Sequence, residues 1–370
     1  MFLSSIDLKN IRKHTDTHLE FAENLNYIVG GNGVGKTTIL EAIYYLCTTK
    51  SCLTSSDTEV VKIGEPGFNI SGNFVGRVND NVQLFFSVRD NKKVFLLSGK
   101  QTHKFSDVIG KFPVVLLSPS DHSITQGYPA ERRKFIDSVI SQASRTYLDL
   151  LLEYNRTLKQ RSNLLFRIRE NNYAENQELD AWNEKLVQSG IEIINHRQKF
   201  VKEFVKYINE SYQKILGHKE KPGLGYYFLD GQCPDDIAEC FSSMLEQKKE
   251  DEIRRTQNLV GPHRDDFIFD INGISLKSYG SQGQHKTFQT ILRFAEYFYL
   301  REKTGLSPIF LLDDVFGELD AERAAAISDY LSKVGQAFIT ITDFANFSFL
   351  KTGEKDKVIR FNTDSRVAYE

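Results

Sequence analysis

The sequence predicts an α/β fold: a mostly parallel sheet assembled from two stretches of chain far apart in sequence, with a helical lobe inserted between them. Three observations carry this. A glycine-rich loop joins a short apolar strand to a helix near the N-terminus, a second apolar strand ends in two aspartates at 313 and 314, and the chain between them shows helical periodicity.

Composition sets the frame. The 370 residues are 40% hydrophobic and 26% charged, with a formal net charge of −2. Those values suit a globular protein and exclude a uniformly basic nucleic-acid binder, while allowing a local basic face. The cysteines Cys47, Cys52, Cys233 and Cys240 show no C-x-x-C spacing, which argues against a zinc site or a disulfide framework and for a reduced, cytoplasmic protein. The start, Met1 to Lys9, alternates polar and apolar residues like a strand and lacks the apolar core of a signal peptide. No run of apolar residues is long enough to span a membrane.

The first apolar strand, Leu25 to Val29, leads into Gly30-Gly31-Asn32-Gly33-Val34-Gly35-Lys36-Thr37, which fits G-x-x-x-x-G-K-[ST]. Its glycines let the backbone wrap a pyrophosphate with N–H groups inward, and the helix starting near Lys36 adds the positive end of its dipole. Lys36 is expected to reach the β- and γ-phosphates of a nucleoside triphosphate, the Thr37 hydroxyl to ligate Mg²⁺, and Thr38 to open the helix that runs to Leu46.

Residues 68–117 hold β-type runs separated by Asn, Asp and Gly turns, predicting an antiparallel sheet beside the loop. Two helical stripes follow, Tyr147, Leu151, Tyr154, Leu158 and Leu165, then Trp182, Leu186, Ile193, Phe200 and Phe204. They are expected to pack on each other rather than form a long coiled coil. Downstream, Pro308 to Asp314 reads as a Walker B strand. Asp313 would hold the Mg²⁺ shell and Asp314 would polarise the attacking water. Another buried strand, Phe338 to Ile341, leads to Asp343, which either orients that water or caps the strand end. His263 with Asp265 and Asp266 is read as structural rather than as a metal site.

Between the insertion and Walker B stands Tyr279-Gly280-Ser281-Gln282-Gly283-Gln284, followed by a helix. It resembles the signature of ABC-type ATPases, in which the serine hydroxyl and glycine N–H bind the γ-phosphate held by an opposite subunit. Read from the residues alone, it is equally a helix cap. Gly317-Glu318-Leu319-Asp320 lies where such proteins carry the loop crossing a dimer interface. A transporter ATPase is the nearest alternative, disfavoured by the basic helical insertion and by Thr342-Asp343 where transporters place a histidine. A small-molecule kinase would have no use for the signature, and a third alternative is a scaffold that binds the nucleotide without hydrolysing it, since only geometry decides whether Asp314 reaches the water.

Taken with Asn10-Ile11-Arg12, Leu40-Glu41-Ala42-Ile43-Tyr44, Ser118-Pro119, Arg132-Arg133-Lys134-Phe135-Ile136-Asp137 and Gly261-Pro262-His263-Arg264-Asp265-Asp266-Phe267, these motifs make the whole chain resemble the RecF family of bacterial recombination ATPases. The resemblance implies an SMC-like, ABC-type ATPase head. Its ATPase lobe would comprise residues 1–118 and 258–370, with a helical lobe at 119–257. It implies slow ATP hydrolysis, an ATP-dependent homodimer, and nucleotide contacts from Arg12, Gln282, Gly283, Gln284 and Asp320. It further implies binding to double-stranded or gapped DNA and cooperation with RecR and RecO in loading RecA. Ile11 stands where the family usually has an aromatic, and Ser120 where it has an acidic residue.

Charge patterning points to a DNA face. Residues 131–170 carry nine Lys/Arg against five Asp/Glu, and residues 197–221 seven against three, whereas residues 228–252 carry eight acidic against two basic. Arg132, Arg133, Lys134, Arg156, Lys159 and Arg161 are the candidate phosphate contacts. With no sequence-reading motif, binding should be backbone-directed and salt-sensitive.

Overall fold

The computed structural model describes residues 1–370 except 78, 172–175, 218–219, 232–235, 319–320, 344–352, 362–366 and 370. The chain divides into two compact units. The first comprises Met1–Asp121, Glu210–Lys219 and Gln289–Glu370; the second comprises His122–Asn209 and Glu220–Phe288.

In chain order the elements are β1 (Phe2–Ile11), β2 (His14–Glu20), β3 (Leu25–Val29), α1 (Lys36–Thr48), β4 (Gly67–Val75), β5 (Asp80–Ser87), β6 (Lys92–Leu97), β7 (Lys100–Gln101) and β8 (Val114–Leu117). Then come α2 (His122–Gln126), α3 (Pro129–Ala143), α4 (Arg145–Asn171), α5 (Asn176–Leu216), β9 (Pro222–Tyr227), α6 (Ile237–Arg255), β10 (Asp266–Ile271) and β11 (Ile274–Ser275). The chain continues through α7 (Leu276–Tyr279), α8 (Gln282–Thr304), β12 (Ile309–Leu312), α9 (Ala321–Leu331), β13 (Ala337–Ile341), β14 (Lys357–Phe361) and β15 (Val367–Tyr369).

The first unit holds two six-stranded sheets, ordered β2-β1-β4-β5-β6-β7 and β15-β14-β3-β13-β12-β8. The former is antiparallel throughout. Its strands alternate buried and exposed residues, as in β4, because one face packs inward and the other meets solvent. In the latter, β14, β3, β13, β12 and β8 run parallel, and β15 adds an antiparallel edge. All of β12 and β13 is buried, which explains their unbroken apolar runs.

Helix α1 supplies the shared core. Ile39, Leu40, Ile43 and Leu46 belong to one buried cluster with Ile6, Leu8, Phe68, Ile70 and Leu84 of the antiparallel sheet and Ile28, Leu311, Phe338 and Ile359 of the parallel one. Each such side chain contributes about 1.5–3 kcal/mol on leaving water. The helix that starts at the glycine-rich loop is thus anchored in the core of both sheets.

In the second unit, Tyr147, Tyr154 and Leu165 of α4 and Leu186, Ile193, Phe200 and Phe204 of α5 are buried as the stripes require, while Leu151, Leu158 and Trp182 are half-buried. The boundary differs from expectation. Residues 258–288, assigned from sequence to the ATPase lobe, group with the helices instead. The cause is pairing of β10 with β9 in register from Asp266↔Tyr227 to Ile271↔Pro222, reinforced by Arg132 of α3 bonding Asp266.

Candidate nucleotide site

The glycine-rich loop connects β3 to α1 as predicted. Gly35 caps the helix at φ 102°, a conformation that L side chains rarely adopt, and a Cβ there would lie 2.6 Å from His14 Nε2. His14 Nε2 stands 3.1 Å from Gly35 O and its Nδ1 3.0 Å from Thr17 Oγ1, so a buried imidazole braces the loop. Burial lowers its pKa. Lys36 Nζ donates to Gly30 O and Gly31 O at 2.6 and 2.9 Å, and Lys13 Nζ to Gly33 O at 2.6 Å. Two cations therefore border the loop, whose residues Gly31, Asn32 and Gly33 are exposed and whose Val34 and Thr38 are buried. Burial also pulls the Lys36 ammonium below its ordinary value.

Walker B meets the loop through one threonine. Thr37 Oγ1 donates to Asp313 Oδ1 at 3.0 Å, and Thr340 Oγ1 from the neighbouring β13 donates to the same oxygen at 2.9 Å. Thr340 Oγ1 in turn accepts from Asp314 N at 2.9 Å, and Asp313 N donates to Leu117 O at 2.9 Å. Burial pushes the Asp313 carboxyl upward, against the two hydroxyl bonds that favour its ionised form. A buried carboxylate answered by hydroxyls rather than by a paired cation fits a hard divalent ion, so Thr37 and Asp313 would hold Mg²⁺. Asp314 is exposed with φ 49°. Asp343 is exposed beyond β13, and Asp320 lies outside the described residues.

Arg12 reaches the same helix by a different route. Its Nε and Nη2 donate to the two carboxylate oxygens of fully buried Glu41 at 2.8 and 2.9 Å, and that bond leads the causes holding its pKa up. The fork pins the β1–β2 turn, where Arg12 has φ 49°, to α1 one turn after Thr37. Glu41, Lys13, His14 and Thr340 were not picked as site residues from sequence. The available signals were a glutamate inside an apolar helix, two polar residues following Arg12, and a threonine inside an apolar strand.

At the signature, Ser281 N donates to Gln284 Oε1 at 2.9 Å and Gln284 N donates to Ser281 Oγ at 3.2 Å, a reciprocal capping box at the start of α8. Gln284 Nε2 also donates to Glu220 Oε1 at 3.0 Å. Both ends of the Gln284 amide therefore have protein partners, the helix cap and the Glu220 that precedes β9. Ser281 and Gln282 are exposed and Gly283 half-buried at the helix start.

The basic face is smaller than sequence counting implies. Arg132 is buried, with Nε and Nη2 on Asp266 at 2.7 and 2.9 Å and Nη1 on Gly127 O at 2.9 Å. Arg161 is fully buried among Asn183, Asn258 and Glu252 at 2.7, 2.7 and 2.5 Å. Neither is a surface phosphate contact, because each neutralises a carboxylate inside the unit. Half-buried Arg133 donates to Asp265 O at 2.5 Å. Lys134, Arg156 and Lys159 are exposed, as are Lys199, Lys202 and Lys206 of α5.

The segment from Gly261 to Phe267 is a buried joint. Gly261 has φ 124°, and a Cβ there would meet Tyr154 Oη at 2.5 Å. His263 Nδ1 lies 2.8 Å from Tyr154 Oη and Nε2 2.9 Å from Asn258 O, while burial takes its pKa down to about 4. Arg197 bonds Pro262 O at 2.7 Å, Asp265 at 3.3 Å and Asp137 at 2.9 Å. His263, Asp265 and Asp266 thus each have a protein partner.

Comparison with known proteins gives the family. Residues 5–272 match the AAA domain family. The chain is 37% identical over 352 residues to the DNA replication and repair protein RecF of Salinibacter ruber, spanning 92% of this chain and 85% of that one. It is 39% identical over 364 residues to RecF of Chloroherpeton thalassium, spanning 95% and 97%. A solved structure of the recombination mediator protein RecF-ATP in the RecFOR pathway superposes with TM-score 0.90 at 31% identity, covering 100% of this chain and 97% of that one. The Smc head domain of Pyrococcus furiosus shares the fold alone, at TM-score 0.59 and 15% identity. With a P-loop, a Walker B aspartate and a signature helix on a RecF backbone, the chain belongs to the RecF family of DNA replication and repair proteins.

Proposed function

We propose that this protein is a slow, DNA-stimulated ATPase of recombinational repair that uses ATP to close a homodimer on double-stranded or gapped DNA. The observation that carries the reading is that Lys36 folds onto Gly30 and Gly31 of the loop while Thr37, the next residue, and Thr340 both bond Asp313. Lys36 and the loop N–H groups bind the phosphates. Thr37 and Asp313 would hold Mg²⁺, which when bound would supply positive charge against the phosphates. Asp314 orients the lytic water, and Ser281 with Gly283 from a second copy completes the site, because a helix N-terminus attracts the γ-phosphate. Arg12 and Asp343 flank the nucleotide. Two such sites make ATP a clamp signal.

DNA contacts come from Lys134, Arg156 and Lys159, exposed cations that neutralise backbone phosphates and so make affinity fall with salt. By kinship with proteins of the RecFOR pathway, the clamp acts in the cytoplasm with RecR and RecO to load RecA. No helix among the described residues is long and apolar enough to cross a membrane.

Sedimentation of the wild type and Ser281→Arg, with ADP and then with a slowly hydrolysed ATP analogue, tests the reading. Dimers of the wild type alone, and only with the analogue, support it. Monomers in every sample would remove its basis.

A further inference from the structure

Single exposed apolar side chains are ordinary on protein surfaces, so their placement matters more than their number. The three most exposed large apolar side chains among the described residues are Ile63 at 99%, Tyr128 at 81% and Tyr279 at 78%. Tyr279 ends α7, two residues before Ser281. Tyr128 precedes α3 and is brought to the same edge because Lys277 Nζ of α7 donates to Gly127 O at 3.0 Å. Arg132 Nη1 holds that same carbonyl at 2.9 Å, so the turn presenting Tyr128 is tied from two sides. Ile274, 57% exposed, begins the segment leading into α7. An apolar, aromatic lip therefore adjoins the signature.

Ile63 belongs to the other half of the nucleotide machinery. It sits at the tip of a turn fastened to the Asn10–Arg12 turn: Lys62 N donates to Asn10 O at 2.8 Å, Arg12 N to Val60 O at 2.9 Å, and Asn10 Nδ2 to Glu65 Oε2 at 2.9 Å. Glu65 N closes the turn on Lys62 O at 3.0 Å. Neither a frayed end nor a loose loop, this turn holds an aliphatic side chain out in water and is fastened to the turn of Asn10 and Arg12, whose next residue, Lys13, binds Gly33 of the phosphate loop.

We propose that Tyr128 and Tyr279 of one copy bury Ile63 of a second copy, forming an apolar gasket beside each composite nucleotide site. The proposal rests on the two-copy reading above and names the surface that gives it affinity. When a signature approaches a partner's phosphate loop, the lip flanking the first comes up against the turn flanking the second. Two-fold symmetry makes the contact twice. Tyrosine suits this place: it supplies large contact area with little rotamer entropy, and its hydroxyl stays wet while the copies are apart. Exclusion of water next to the γ-phosphate is the functional consequence.

The test uses the full-length protein with the slowly hydrolysed ATP analogue. Copies carrying Ile63→Cys are mixed with copies carrying Tyr279→Cys and treated with a short bis-maleimide, with each variant alone and the wild type as controls for the native cysteines. A cross-linked pair found only in the mixture, and only with the analogue, is expected. In parallel, the double variant Tyr128→Ser/Tyr279→Ser and the single variant Ile63→Ser should each weaken dimerisation by about tenfold or more. The affinity of the monomer for nucleotide should not change. If the wild type dimerises while the mixture fails to cross-link and the variants dimerise equally well, the gasket is wrong and the two-copy reading survives. If the wild type stays monomeric with the analogue, both fall.

Discussion

The Thr37 hydroxyl and the Asp313 carboxylate lie 3.0 Å apart, joining the start of α1 to the end of β12. The bond links the phosphate loop to the carboxylate strand directly, and Thr340 locks the carboxylate from the other side. The Thr37 hydroxyl and the Asp313 carboxylate are therefore held together by the start of α1 and the neighbouring parallel strands β12 and β13.

Thr340→Val keeps the shape of β13 but removes one hydroxyl from Asp313 and an acceptor from Asp314 N. Supporting partners of metal ligands typically contribute 10- to 100-fold to metal affinity. We expect the Mg²⁺ concentration needed for half-maximal ATP hydrolysis to rise by about that factor, with nucleotide affinity in the absence of Mg²⁺ unchanged. Titration of activity against Mg²⁺ checks this.

Gly35→Ala meets two obstacles, a φ of 102° and His14 Nε2 at 2.6 Å from the new Cβ. Left-handed backbone alone costs an L residue about 1–2 kcal/mol. The variant should lose ATP binding measured by calorimetry, and adding His14→Ala should restore only part of it, since the backbone strain remains.

Arg161→Ala leaves Glu252 buried without its cation, a loss of about 3–5 kcal/mol. Arg132→Ala, which strands half-buried Asp266, should also lower the unfolding midpoint, though less. Lys134→Ala, Arg156→Ala and Lys159→Ala should leave thermal unfolding unaltered while weakening DNA binding and flattening its salt dependence. Paired denaturation and DNA-binding measurements separate the two groups.

His263 is held neutral, its pKa taken from the usual 6.5 to about 4. Between those values the unfolded chain binds more protons, so this residue's contribution is complete above pH 6.5 and is lost as pH falls through 4. Asp265, pushed up to about 6 by burial, works in the opposite direction over the same range. The stability difference between wild type and His263→Gln isolates the histidine. Urea denaturation from pH 7 to pH 4 should show that difference shrinking as the solution becomes more acid.

Much of the nucleotide site is legible along the chain because its parts are local. A strand, four glycines, a lysine and a threonine occupy contiguous positions, and left-handed backbone at Gly35 is a property of that residue itself. An apolar tetrad ending in Asp313 announces a strand buried on both faces for the same reason. Ser281 and Gln284 also spell out their helix cap, three residues apart.

Side-chain fate across long separations was not legible. Arg132 and Arg161 look the same in sequence as Lys134, Arg156 and Lys159, yet their partners Asp266 and Glu252 stand 134 and 91 residues away. Helical periodicity marks which residues face inward, but an inward arginine is tolerable only where the fold supplies a carboxylate, and no local pattern records that. Strand pairing has the same character: β10 joins β9 rather than the ATPase sheets because register and hydrogen bonds are settled between segments, not within them. The phosphate chemistry was therefore written in neighbouring residues, while the extent of the basic face and the lobe boundary emerged only when distant charges and strands were brought together.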